Sequence, residues 1–253
     1  MSLPDRWLWP GLSVLLAGVA TQFAWHFWHW PKGRAWAERL ETAGILPPLI
    51  HLVRFFYYIG LPFGALLWGQ EAILERAFGL WPLPLLFGTS ISPEELLLAW
   101  TQWTQGIGWA VFLGITSWGL LALSGWMERG HHWVELRMGP WASLREAIFH
   151  EVHWMFYRNG PVVALGPYWG TWAGLGIVLL EAALNPWWHR ALRRPDQRPL
   201  ALLRMMMAPL SAFLYLQASN LWLAILLHWG ITWGMVAWMN RLARRTARQT
   251  CSK

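Results

Sequence analysis

Charge is what this chain has little of. Asp, Glu, Lys and Arg make up 13% of its 253 residues, against about 25% in an ordinary soluble domain. With 56% hydrophobic residues, a single soluble core is excluded. A lone cysteine, Cys251, rules out an internal disulfide. Acidic side chains are scarcer than basic ones, 13 against 20, for a net charge of +7. The arginines lie in short segments between apolar runs, the places where cytoplasmic loops of membrane proteins collect them, so nucleic acid is not the expected partner. No internal repeat and no long linker interrupts the chain, and one transmembrane domain over residues 1–253 is expected. Leu8–Trp30 is too long and too rich in tryptophan for the apolar region of a cleavable signal peptide.

What the chain has instead is long apolar runs and 24 tryptophans. Indole suits the bilayer boundary, because one edge is apolar and the other donates a hydrogen bond. At about 20 residues per crossing, the pattern predicts an all-α, multi-pass membrane bundle of seven spans, near 7–29, 49–69, 96–126, 146–165, 169–188, 202–218 and 220–240. The connecting segments alternate in charge. Lys32, Arg34 and Arg39 lie in the first. The acids Glu71, Glu75, Glu94 and Glu95 lie in the second, opposed by Arg76. Arg129, Arg137 and Arg145 lie in the third, and Arg190, Arg193, Arg194 and Arg198 in the fifth. The tail carries Arg241, Arg244, Arg245, Arg248 and Lys253. The fourth and sixth, near Gly166–Gly170 and Ser219, are short and uncharged. The excess of positive charge on one side predicts an N-terminus outside and a C-terminus in the cytoplasm; the expected location is a bacterial plasma membrane.

Against this background a few polar residues stand out, since a charged side chain in hydrocarbon costs roughly 2.5–3.5 kcal/mol on insertion scales. His150, Glu151 and His153 interrupt the apolar stretch Ala147–Leu165, Glu181 interrupts Gly174–Leu184, and His228 lies in Asn220–Trp238. At about 1.5 Å per residue, Glu151 lies about 9 Å past Arg145 and Glu181 about 10 Å before Trp188. His228 lies roughly 18 Å before Asn240 on the same rise. Arg54 enters the second span from the same side. Helical spacing puts Glu146, His150, His153 and Tyr157 on one stripe, and Glu151, Trp154 and Arg158 on the next. Imidazole and carboxylate together suit Zn²⁺ or a related divalent ion, and His150, His153, Glu181 and His228 are the candidate ligands. The string differs from H-E-x-x-H, its second histidine falling one residue early. The competing reading makes these groups interhelical ties, Glu151 pairing with Arg158 or Arg54.

The run from Leu214 through Gln217-Ala218-Ser219-Asn220 to His228 resembles the last motif of the CPBP intramembrane proteases, the CAAX-prenyl-protease-like or ABI family. In that motif a short polar turn and a small apolar run precede a histidine. Glu151 with Phe156-Tyr157-Arg158 is similar to the family's first motif. The resemblance covers residues 140–240, and the helices of residues 1–130 carry no motif. It implies hydrolysis of a peptide bond within the membrane, with Glu151 as general base, Arg158 as its orienting partner, and His228 with His150 or His153 holding a metal or the oxyanion. The pattern departs from the family at named places. His150 stands for one of two adjacent glutamates, Arg158 follows Glu151 by seven residues rather than four, Glu181 occupies the span that should supply a histidine, and Thr232 replaces an asparagine. Those departures suit an alternative, a non-catalytic scaffold or accessory subunit that binds a partner protein. A third reading is proton-coupled transport through Glu151 and Glu181. The pair Glu94-Glu95 reads instead as a helix start, with Ser92 as N-cap, Pro93 first and Glu95 the capping-box acid. His131 and His132, near Glu128 and Glu135, read as a solvated interfacial segment. Asn185-Pro186 reads as a helix end.

Overall fold

The computed structural model describes residues 3–69, 92–127 and 138–251. Glu71, Glu75 and Arg76 of the second connection fall outside them, as do Arg129 and Arg137 and the Glu128, His131, His132 and Glu135 segment. All regular structure among the described residues is helical. In chain order the elements are α1 (Leu3–His29), α2 (Pro31–Thr42), α3 (Leu46–Phe55), a π-helical turn (Phe56–Gly60) and α4 (Leu61–Gly69). They continue with α5 (Pro93–Met127), α6 (Pro140–Leu184), α7 (Pro186–Arg193), α8 (Arg198–Ala218) and α9 (Leu221–Cys251).

Among the described residues, four segments are long and apolar enough to cross a membrane: Trp7–His29, Pro140–Leu184, Arg198–Ala218 and Leu221–Arg244. A fifth is added if Pro31–Thr42 and Leu46–Ala65, bent by 98°, form one broken span. These spans mark an integral membrane protein. The expected third span lies in α5, outside that set, and the expected fourth and fifth both lie in α6. Local chemistry explains the boundaries. Ser92 Oγ accepts from Glu95 N at 3.2 Å while Glu95 Oε2 accepts from Ser92 N at 3.0 Å, which is the reciprocal cap anticipated for α5. The fifth span ends at Leu184, four residues earlier than read from sequence. Asn185 caps a new helix there, its Oδ1 accepting from Trp187 N at 3.0 Å, and Pro186 has no N–H with which to continue the old one.

The chain packs as two compact units, residues 1–74 with 152–212, and residues 75–151 with 213–253. In the first, the organising feature is a reversal inside α6. Gly166 has φ 80° and ψ 169°, a conformation that glycine alone adopts without strain. The two arms then run back along each other. Gly170 lies against the backbone of Val162, and a methyl group at Gly174 would sit 2.8 Å from Arg158 Cα. Glycines at this spacing let helical backbones approach closely, which is how helices associate where no hydrophobic effect drives them. Beside this hairpin runs α1, Gln22 Nε2 donating to the Leu184 carbonyl at 3.2 Å.

In the second unit α5 and α9 run side by side in the same direction. Gly106 accommodates Leu223 near one end, and Gly234 accommodates the Trp118 ring near the other. The α8–α9 turn falls at Ser219, whose φ is 46°, and Asn220 Oδ1 caps α9 by accepting from Leu223 N at 3.2 Å. Val236 and Met239 form a buried apolar cluster with Met138, Met235 and Trp238 packed against it.

Candidate functional site

Each unit buries its own set of polar side chains. In the second, α6 supplies Glu151 and α9 supplies His228. Glu151 is fully buried and His228 is 2% exposed. His228 Nδ1 lies 2.9 Å from Glu151 Oε1. A carboxylate accepts, so Nδ1 carries the proton and donates it, which places the imidazole lone pair at Nε2. One residue before Glu151, His150 repeats the device on the same helix: its Nδ1 lies 2.7 Å from the Glu146 carbonyl oxygen, which likewise accepts. The His150 and His228 rings are 5.8 Å apart.

The first unit buries a larger network. Tyr57 reaches it from the π-helical turn, Ser13 from α1, His153 and Tyr157 from one arm of the hairpin, and Glu181 from the other. Ser13 Oγ and Tyr157 Oη are 3.1 Å apart, as are the two tyrosine hydroxyls. Tyr57 Oη donates to Glu181 Oε1 at 3.1 Å. His153 Nε2 lies 3.4 Å from Glu181 Oε2, an ion-pair separation. Tyr57, Tyr58 and Tyr157 surround the imidazole, with ring centroids at 4.7, 5.1 and 4.4 Å. A π-turn widens one helical turn and re-aims its side chains; this one presents two consecutive tyrosines, Tyr57 and Tyr58, to the same histidine.

The seven residues singled out by sequence therefore appear in four settings. Glu151 and His228 meet, with His150 beside them. His153 and Glu181 meet in the other unit. Arg158, 2% exposed, donates through Nη2 to Ser211 Oγ at 3.0 Å. Arg54 lies over the Tyr58 ring at 5.6 Å. The sequence reading passed over Ser13, Tyr57 and Ser211. The signal for them was present: a hydroxyl inside an apolar span seeks a partner on a neighbouring helix.

As to metal, histidines whose Nδ1–H is taken up by a carboxylate or a backbone carbonyl are oriented as zinc-bound histidines usually are. His150 and His228 meet that condition. Two imidazoles are one short of the three protein ligands of a catalytic zinc site. Among the described residues no three His, Cys, Asp or Glu side chains gather where one ion would touch them. Among the described residues the donor set does not complete a metal site.

Long apolar helices enclosing buried acid–imidazole pairs define the class: a polytopic, all-α integral membrane protein with ionisable groups inside its helical units. No family model, curated protein or solved structure matches the chain.

Proposed function

We propose that this protein is a divergent CPBP-like intramembrane protease whose reacting groups are Glu151 and His228. One observation carries the reading. The two residues to which the family resemblance gives the roles of base and last-motif histidine come from helices far apart in sequence, and they form a sealed 2.9 Å pair. Charge in such a setting is costly unless paired, and as mere cohesion a buried acid–imidazole pair is a poor substitute for apolar packing.

In the proposed reaction Glu151 takes a proton from a water molecule, and the hydroxide oxygen bonds to the scissile carbonyl carbon. His228 holds the carboxylate in place through Nδ1–H. His150, when protonated, donates from Nε2 to the developing oxyanion. The C–N bond then breaks, and the proton held by Glu151 passes to the departing amine. Arg158, to which the resemblance gives the role of orienting partner, donates to Ser211 Oγ and takes no step in this scheme. The substrate is a membrane-embedded peptide segment.

The topology proposed with it has seven crossings, the N-terminus outside and the C-terminus in the cytoplasm of a bacterial cell. It counts α5 as a span, the two arms of α6 separately, and the stretch from α3 through the π-helical turn to α4 as the second span. The parallel course of α5 and α9 agrees with two odd-numbered spans entering from the same face.

The test is cleavage of a single-span reporter by the full chain in proteoliposomes. Glu151→Gln should abolish it, and His228→Asn should lower it steeply. Undiminished cleavage by Glu151→Gln would sink the assignment. A non-catalytic scaffold is the second reading. It is favoured by Glu181, which stands where the family has a histidine and is held by the Tyr57 hydroxyl. On that reading Glu151→Gln leaves capture of the partner protein intact.

A further inference from the structure

The end of α1, the start of α2 and the short helix α7 enclose a cavity of about 450 Å³ in the first unit. That volume lies within the roughly 300–1,000 Å³ of small-molecule sites. Its lining includes Trp28, His29, Arg34, Glu38 and Arg190. Nothing in the proposed peptide hydrolysis uses these residues.

Their chemistry is specific. The Arg190 guanidinium lies over two indole faces, 5.9 Å from the Trp25 ring and 5.7 Å from the Trp187 ring. These rings meet edge-on at 5.1 Å. Such contacts hold the plane of an arginine without consuming its N–H donors. Among the described residues no carboxylate pairs with Arg190. Arg34 Nε lies 2.8 Å from Glu38 Oε1, but the two side chains are 65% and 55% exposed. An ion pair so open to solvent is weak and readily exchanged for a better acceptor. His29 Nδ1 is tied to the Trp25 carbonyl at 2.8 Å. Two arginines against one glutamate leave the lining with an excess of positive charge, and a carboxylate there is able to accept from a ligand hydroxyl.

The location adds a second line of argument. α1 is one of the membrane-crossing segments and ends at His29. The next helix, α2, carries Lys32, Arg34 and Arg39, and α7 carries Trp187, Trp188, Arg190 and Arg193. Short helices of tryptophan and arginine at the end of a span lie at headgroup depth. Arginine's planar fork matches phosphate oxygens.

We infer that this cavity binds the headgroup of an anionic glycerophospholipid, with Arg190 and Arg34 on the phosphodiester and Glu38 accepting from the headgroup hydroxyls. The experiment takes the full chain from vesicles of equal phosphatidylglycerol and phosphatidylcholine into detergent. The lipid that stays bound is then counted by mass spectrometry. Wild-type chain should retain phosphatidylglycerol preferentially. Arg190→Gln and Arg34→Gln should each reduce the retained excess about tenfold, the effect of losing one charge-assisted contact. Arg193→Gln, on the same helix but outside the lining, should retain it. Equal loss in all three variants would overturn the site in favour of general surface attraction. Displacement of the lipid by millimolar inorganic phosphate would overturn it in favour of a small-anion site. Arg34 is exposed, so its variant keeps the test decisive should Arg190→Gln fail to fold.

Discussion

Two carboxylates thirty residues apart on α6, one buried and one partly buried, each meet a histidine in different company. Glu151 is fully buried and meets His228 at 2.9 Å. Glu181, its side chain 19% exposed, meets His153 at 3.4 Å and accepts from the Tyr57 hydroxyl at 3.1 Å. In the first case a short hydrogen bond joins the carboxylate directly to the imidazole. In the second a hydroxyl, which keeps its proton at neutral pH, braces the acid inside a network that reaches Tyr157 and Ser13. The contrast teaches that residue type does not decide the role of a membrane-buried acid. Its donors do. The short pair suits chemistry, and the braced pair suits cohesion of the hairpin with α1 and the π-turn.

The sharpest way to break this contrast is to neutralise each acid in turn. Glu151→Gln should lower reporter cleavage by about 10²–10⁴, the usual weight of a general base, while Glu181→Gln should leave turnover near that of the wild type. Comparable losses in both, measured in the same proteoliposomes, would erase the distinction. The next effect concerns how His153 is brought to Glu181. Gly174→Leu should force the hairpin arms apart and destabilise the protein by about 1–3 kcal/mol or more, as overpacking does, visible as a lower unfolding temperature in detergent. A smaller change is expected from Tyr157→Phe, which removes the hydroxyl shared with Ser13 and Tyr57. The expected loss is about 0.5–1.5 kcal/mol with cleavage retained, and a fall in cleavage as steep as that of Glu151→Gln would move the network into the chemistry. Smallest is the coupling between Ser13→Ala and Tyr157→Phe. A double-mutant cycle should return roughly 0.6 kcal/mol, the average for hydrogen bonds between membrane helices. Zero coupling would mean that the two hydroxyls do not act together.

Much of the architecture was legible in the residues. Ser92-Pro93-Glu94-Glu95 announces the start of α5 because hydroxyl, ring and carboxylate satisfy the first N–H groups locally. Gly166-Pro167 marks the reversal in α6, since glycine supplies the positive φ. Ser219-Asn220 marks the α8–α9 turn. The fifth span was drawn to Trp188, yet its helix ends at Leu184, where Asn185-Pro186 reads as a helix end. The site was legible only as a list. Glu151, His150, His153, Glu181 and His228 were visible as polar residues in apolar runs. Their pairing, and the gift of Arg158 to Ser211, depend on which helix faces which, and a one-dimensional pattern does not carry that.

The sequence by itself determined that this chain belongs in a membrane, that its polar residues are few, and where the cap of α5 and the α8–α9 turn fall, because transfer free energy and end-capping are properties of short segments. Only the tertiary structure decided that the tyrosine of a π-turn reaches Glu181 and that Glu151 takes His228. Those partnerships arise from helix rotation and close backbone approach, and both depend on every neighbouring side chain at once.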